Sequence, residues 1–131
     1  MNTSELLELA VKAAANSYSK YSGFKVGAAL LCADGSVYTG CNIENSSFSL
    51  TNCAERTVIF KAISDGIRDF KAIAVVGSSD GDFSRPCPPC GACLQVMSEF
   101  CGNDFKIFLS SGEFTLSDFL PKRFTAENMS I

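Results

Sequence analysis

The feature that most constrains this chain is a set of three cysteines and one glutamate divided between two distant segments. The first segment is Cys53-Ala-Glu55, and the second is Pro-Cys90-Gly-Ala-Cys93. Zinc prefers thiolates in tetrahedral sets, and Cys-x-x-Cys has the spacing of a chelating pair. Three protein ligands leave the fourth position open for water, which is typical of a catalytic site. The pattern predicts one zinc ion per chain, held by Cys53, Cys90 and Cys93.

Glu55 follows Cys53 by two residues, and side chains at that spacing on a helix do not face the same way. We therefore expect Glu55 to lie near the metal without binding it, as a general base for water. A ligand two residues before a glutamate, followed later by P-C-x-x-C, is typical of zinc enzymes that deaminate nucleobases. The alternatives are that the cysteines are structural and that Glu55 is a solvated helix residue.

Two neighbouring residues bear on this site. Cys87-Pro-Pro-Cys90 is a second Cys-x-x-Cys pair, and a four-cysteine set that included Cys87 would be closed and structural. Because Cys87 precedes the predicted helix start in a proline-stiffened loop, the pattern favours the other three cysteines. Three thiolates leave the site negatively charged, which weakens the metal as a Lewis acid. Arg56 shares the helix face of Cys53, so we expect it to hydrogen-bond the thiolates and offset this charge.

Composition limits the partners and the compartment. The 131 residues suggest a single domain, 1–131, and the net charge of −3 comes without any basic run, which argues against a polynucleotide partner. The N-terminal residues do not form a signal peptide, and the apolar runs are too short to span a membrane. We therefore expect a cytoplasmic protein, where such cysteine spacing indicates metal binding or catalysis rather than disulfides.

Hydrophobic periodicity and turn signals predict an α/β fold. Thr3 or Ser4 can cap a first helix, and Asp34-Gly35 is typical of a hairpin turn. The sequence predicts helices over 3–17, 53–64 and 90–101, strands over 26–33, 36–41, 71–78 and 106–110, and a short strand or helical turn over 114–120. This order predicts a three-layer α/β/α sandwich around a mixed, roughly five-stranded sheet.

Four segments carry a resemblance to a known family. They are FKVGAAL (24–30), CNIEN (41–45), CAERT (53–57) and PCGAC (89–93), and QVM (95–97) and the tail 120–125 also fit. With these segments the chain resembles the homotetrameric zinc-dependent cytidine deaminases of pyrimidine salvage, over nearly its whole length. The resemblance implies a cytidine deaminase-like fold. It also implies hydrolysis of cytidine or 2′-deoxycytidine to uridine or 2′-deoxyuridine and ammonia.

The resemblance also implies substrate-binding roles. Asn42 and Glu44 match the pair that binds the ribose hydroxyls, and Phe24 matches the aromatic residue that packs against the pyrimidine. Ala54 matches a residue whose backbone contacts the base. Phe124 matches a tail aromatic residue that reaches the active site of a neighbouring subunit, which implies a homotetramer with sites shared between subunits.

The chain departs from the family pattern at three positions, one of which is the extra cysteine Cys87. Leu94 stands where many members carry arginine, so Arg56 alone would have to offset the negative charge of the thiolates. Phe48 stands where tyrosine is frequent. Two other functions stay open, namely a deaminase of a cytosine-containing antibiotic nucleoside such as blasticidin S and a non-catalytic zinc-binding module.

Overall fold

The computed structural model describes residues 1–129, and a five-stranded sheet lies at its centre. The strands are β1 (Lys25–Cys32), β2 (Val37–Cys41), β3 (Phe70–Ser78), β4 (Lys106–Leu109) and β5 (Gly112–Thr115). The helices are α1 (Thr3–Ala14), α2 (Ala54–Ser64), α3 (Gly91–Phe100) and α4 (Leu116–Phe119), with 3-10 turns at Phe48–Leu50 and Ala126–Met129. The segment predicted over 114–120 as a strand or a helical turn contains the end of β5 and all of α4.

The strands lie in the order β2-β1-β3-β4-β5. The pair β3–β4 is parallel, whereas β1–β2, β1–β3 and β4–β5 are antiparallel. A parallel pair needs a crossover, and α3 lies in the connection between β3 and β4. The mixed sheet predicted from the order of elements is therefore confirmed.

Each face of the sheet carries its own hydrophobic core, because neighbouring strand residues point to opposite faces. On one face Leu30 and Ile73 pack with α2 and α3. On the other face Ala29 and Ala74 pack with α1. The predicted three-layer α/β/α arrangement is thus confirmed. Within residues 1–129, no helix combines the length and apolar character needed to cross a bilayer.

Helix α1 lies unusually close to the sheet because β1 carries a glycine beneath it. A Cβ built on Gly27 would lie 1.9 Å from the carbonyl oxygen of Ala10 and 2.6 Å from the backbone nitrogen of Ala14. Atoms cannot approach so closely, so any larger side chain at this position would push the helix away.

The ends of α1 differ from the prediction. The N-cap is Asn2, neither Thr3 nor Ser4, because the Asn2 side chain accepts a 2.8 Å hydrogen bond from the backbone nitrogen of Glu5. The helix ends at Ala14 rather than near Ser17. Beyond it the chain turns, and the Ser17 hydroxyl donates to Oδ1 of Asn42. The backbone N–H groups of residues 15–17 bond to carbonyl groups three residues back, and the long-range contact with Asn42 accompanies this tighter turn.

Candidate active site

The two cysteine segments meet where α2 and α3 begin. Cys53 and Cys90 are the N-cap residues of these helices, and Cys93 lies in the first turn of α3. Helix N-termini favour thiolates, since unpaired N–H groups and the helix dipole stabilise negative charge there. The sequence therefore places all three thiols in surroundings that suit metal ligands.

The sulfur geometry fits a tetrahedral zinc ion. The three Sγ atoms lie within 4.8 Å of one another, with Cys53–Cys90 at 3.8 Å and Cys90–Cys93 at 3.5 Å. Zinc–sulfur bonds of ~2.3 Å in a tetrahedron separate the sulfurs by roughly 3.8 Å. The donor set and its spacing thus match zinc, and within residues 1–129 the group contains these three side chains only, which leaves a fourth ligand position open.

Electrostatics at Cys53 favour the thiolate. The hydrogen bond with Cys93, reinforced by Arg56 and Cys90, lowers the pKa of Cys53 to about 5, although burial opposes this change. The same hydrogen bond, together with burial, raises the pKa of Cys93, which favours the protonated thiol at that position. Metal binding displaces such protons, because the ligands must be thiolates.

Arg56 supplies positive charge beside these sulfurs. One of its terminal nitrogens donates to Sγ of Cys53 over 3.2 Å, and this hydrogen bond is the main reason that the pKa of Arg56 is raised. Its Nε atom is buried and has no hydrogen-bond partner among the described residues. The guanidinium group therefore lies against the sulfur cluster, with the hydrogen bond to Cys53 as its leading contact.

Glu55 lies in the first turn of α2, and its side chain is only 4% exposed. Burial raises the pKa of Glu55 to about 7, and the nearby Cys53 thiolate adds to the effect. A dication bound to the cysteines would lower the pKa of Glu55. A buried carboxyl group that can hold or release a proton near neutral pH is suited to general acid–base catalysis.

Cys87 lies outside the group of sulfurs that could share a metal. Its thiol is half-buried, and burial raises its pKa to about 11, with further contributions from the charges of Glu55 and Cys53. The closed four-cysteine alternative is therefore not supported by the described residues.

The structure gives Asn42 a structural role that the sequence did not reveal. Its buried side chain accepts at Oδ1 from the Ser17 hydroxyl and from the backbone nitrogen of Val26, at 2.9 Å for the latter. Its Nδ2 donates to the carbonyl oxygen of Phe24 over 2.8 Å. Asn42 therefore fixes the start of β1 and the residues before it.

Glu44 is likewise tied to the segment that precedes β1. Its Oε1 accepts from the backbone nitrogens of Tyr21 and Ser22, each at 3.0 Å, and its Oε2 accepts from the Ser22 hydroxyl. These hydrogen bonds from Ser22 and Tyr21 lower the pKa of Glu44. The carboxylate also lines a cavity of about 440 Å³ with the side chains of Phe48 and Thr51.

The other predicted substrate contacts differ in exposure. Ala54 is fully buried at the first position of α2, whereas the side chains of Phe24 and Phe124 are 39% and 54% exposed. The tail that carries Phe124 is tied to α3, since Nε2 of Gln95 donates to the Phe124 carbonyl oxygen over 3.0 Å. No local sequence signal marks this anchor, because its partners lie 29 residues apart.

Comparison with known proteins bears on the identity of this site. The family described as "Cytidine and deoxycytidylate deaminase zinc-binding region" matches residues 1–109. The chain is 53% identical to a cytidine deaminase of Halalkalibacterium halodurans, with 99% of both chains covered. It is 48% identical to a cytidine deaminase of Sporosarcina psychrophila, covering 99% of this chain and 96% of the relative.

A solved structure shows the same likeness in three dimensions. The crystal structure of a cytidine deaminase from Burkholderia pseudomallei is similar to this chain with a TM-score of 0.86 and 43% sequence identity. The alignment covers 95% of this chain and 100% of that structure. The similarity therefore extends over the whole sheet and both helical layers.

Proposed function

Because the chain belongs to the cytidine and deoxycytidylate deaminase family, we propose that it hydrolyses cytidine and 2′-deoxycytidine to uridine and 2′-deoxyuridine, with release of ammonia. The observation that carries this proposal is a triad of cysteine sulfurs with zinc spacing beside a buried glutamate. A structural zinc site would need a fourth protein ligand and would not need Glu55.

Cys53, Cys90 and Cys93 hold zinc in this proposal. When bound there, zinc supplies Lewis acidity that makes a water molecule a better nucleophile near neutral pH. Arg56 and the two helix N-termini offset the negative charge of the thiolates. Less negative charge on the ligands strengthens the Lewis acidity that zinc supplies, so the role of Arg56 is to adjust this acidity.

Glu55 carries the protons. It accepts a proton from the attacking water and delivers it to the ring nitrogen next to the amino-bearing carbon. As the tetrahedral adduct collapses, Glu55 transfers the remaining hydroxyl proton to the departing amine, which leaves as ammonia. One water is consumed, the carbon–nitrogen bond to the amino group breaks and a carbonyl group forms. Burial favours this relay because it excludes competing water from the carboxyl group.

The substrate contacts follow from the family pattern. Asn42 and Glu44 bind the ribose hydroxyls, Phe24 packs against the pyrimidine, and the backbone of Ala54 contacts the base. The cavity beside Glu44 supports this assignment, since it offers space next to a carboxylate that is still able to accept hydrogen bonds. Nucleosides rather than polynucleotides fit the acidic composition of the chain.

The assembly and cellular role belong to the same proposal. The 131 residues form one catalytic domain, and four copies form a homotetramer in which Phe124 reaches the site of a neighbour. Large apolar side chains that are exposed in the single chain support an oligomer; they include Tyr18, Ile43, Phe48, Leu50, Phe60 and Phe124. The reaction serves pyrimidine salvage in the cytoplasm. Light scattering of the purified protein tests the tetramer, and a monomeric mass would contradict it.

The proposed reaction is tested by incubating purified, zinc-loaded protein with cytidine and measuring ammonia release. A parallel sample is first stripped of zinc by a strong chelator. Release that depends on zinc supports the proposal. No release from folded, zinc-loaded protein contradicts it, and blasticidin S is then the next substrate to test. Zinc content without hydrolysis of any cytosine nucleoside would favour the non-catalytic binding module.

A further inference from the structure

Gly77 lies next to the ring of Phe24 at the carboxyl end of β3. It pairs with Val26 of β1, two residues beyond Phe24. A Cβ built on Gly77 would lie 2.8 Å from Cζ and 3.0 Å from Cε2 of the Phe24 ring, and 2.8 Å from Sγ of Cys87. Because Gly77 is not among the glycines with positive φ, space rather than backbone conformation requires glycine here.

Among the groups around Gly77, the Phe24 ring is the one that can move. The Phe24 backbone is held at both ends, since its carbonyl oxygen accepts from Asn42 and its nitrogen donates to the Ser22 hydroxyl over 3.0 Å. The ring itself is partly exposed and lines a cavity of about 200 Å³ with Gly77 and Arg85. A side chain at position 77 would therefore displace the ring without unravelling the strand.

Cys87 completes this contact and connects it to the active site. Its thiol packs against the core that contains α2 and α3, and Pro88 and Pro89 stiffen the loop behind it. Cys87 precedes the proposed metal ligand Cys90 by three residues, and it packs against the same core cluster that contains Cys93 and Ala54. The wall made by Gly77, Cys87 and Phe24 thus adjoins the proposed reaction centre.

We infer that Gly77 is a positioning residue: the absence of a side chain there sets the position of the Phe24 ring, with Cys87 as the second support, and thereby sets the affinity for the pyrimidine. This inference rests on the proposed function, in which Phe24 packs against the base. It assigns Gly77 and Cys87 a part in substrate binding that is separate from metal binding and proton transfer.

The test compares Gly77→Ala with the unaltered protein, both loaded with zinc and supplied with cytidine. We expect KM to rise about threefold to tenfold, which is the scale of one well-placed aromatic contact. We expect kcat and zinc content to change by less than about twofold, because Glu55 and the three metal ligands stay in place. Calorimetric titration with uridine should show a loss of affinity of similar size, without relying on turnover.

Two further variants separate ring displacement from general crowding. Gly40→Ala is the matched control, since a Cβ there would lie 3.0 Å from the backbone nitrogen of Val58 in α2. It should lower Tm without raising KM. In a Phe24→Leu background, Gly77→Ala should add no further rise in KM, because leucine has no Cζ to collide with. This double variant also removes the clash with the ring and leaves only the contact with Sγ of Cys87, so it serves if Gly77→Ala alone does not fold.

An unchanged KM in folded, zinc-loaded Gly77→Ala would overturn the inference. An equal rise in KM in Gly40→Ala would also overturn it, because the effect would then reflect a loosened fold. Failure of the unaltered protein to release ammonia from cytidine would instead refute the proposed function. Normal release by the unaltered protein together with an unchanged KM in the variant refutes only the role of Gly77.

Discussion

Replacing Arg56 with glutamine tests how the thiolate charge is compensated. The arginine donates to Sγ of Cys53 over 3.2 Å, and a hydrogen bond to a charged group contributes about 1.5–3 kcal/mol. Glutamine keeps a polar side chain but removes the charge. Loss of the interaction is equivalent to about a tenfold to hundredfold change in an equilibrium constant.

Losing this hydrogen-bond free energy should reduce turnover more than zinc content. Zinc bound by several cysteines contributes about 10–16 kcal/mol of binding free energy, so a loss of ~2 kcal/mol leaves the site filled when zinc is in excess. The uncompensated thiolates donate more charge to the metal and weaken its Lewis acidity. We therefore expect Arg56→Gln to keep close to one zinc per chain while kcat falls about tenfold or more.

The assay combines elemental analysis of zinc with initial rates of ammonia release at saturating cytidine. Arg56→Lys, which keeps the charge, should retain more activity than Arg56→Gln. Arg68→Gln is a remote control, since Arg68 donates to the carbonyl oxygens of Ile63 and Ile67 near the end of α2. Unchanged kcat in zinc-loaded Arg56→Gln would refute the reasoning. Loss of zinc in proportion to activity would also refute it, by showing that Arg56 acts on metal binding.

Three other changes separate proton transfer, metal binding and packing. Glu55→Gln should retain zinc but lower kcat by about 10²–10⁴-fold, the usual contribution of a general acid–base group, and normal turnover in this variant would contradict the assigned role. Cys53→Ala should lose both zinc and thermal stability, since metal binding is linked to folding. Calorimetry of this variant with and without added zinc should therefore show the same Tm. Gly27→Ala should lower the free energy of unfolding by about 1–3 kcal/mol or more, because its Cβ would overlap the Ala10 carbonyl group. Urea titration measures this loss. An unchanged midpoint of the unfolding transition would show that α1 can shift freely.

The sheet and its covering helices could be predicted because local signals agree with the final structure. Buried strands such as 71–78 carry continuous apolar runs, and Asp34-Gly35 marks the hairpin between β1 and β2. The metal-binding pattern was visible for a similar reason. Cys90 and Cys93 are neighbours in sequence, and Cys53 and Cys90 both precede residues that begin helices.

Contacts between distant segments could not be predicted, because no local pattern encodes them. Just beyond α1, the Ser17 hydroxyl bonds to Asn42, which is 25 residues away. The need for glycine at position 77 depends on a phenylalanine from the segment before β1 and on a cysteine from a loop. In each case the residue type is compatible with several roles, and its role becomes clear only from its contacts in the folded chain.

The hydrogen bonds of Asn42 and Glu44 limit how these residues can bind a sugar. Both lone pairs of the Asn42 Oδ1 atom are already used, and one Nδ2 hydrogen is bonded to the Phe24 carbonyl group, so Asn42 can offer only its remaining N–H. Glu44 can only accept, and Oε1 already receives two backbone hydrogen bonds. A hydroxyl group held between them must therefore accept from Asn42 and donate to Oε2 of Glu44. Since Asn42 also fixes the Phe24 backbone while Gly77 makes room for its ring, Asn42→Ala should impair contacts with the sugar and with the base together, whereas Gly77→Ala should impair contacts with the base alone.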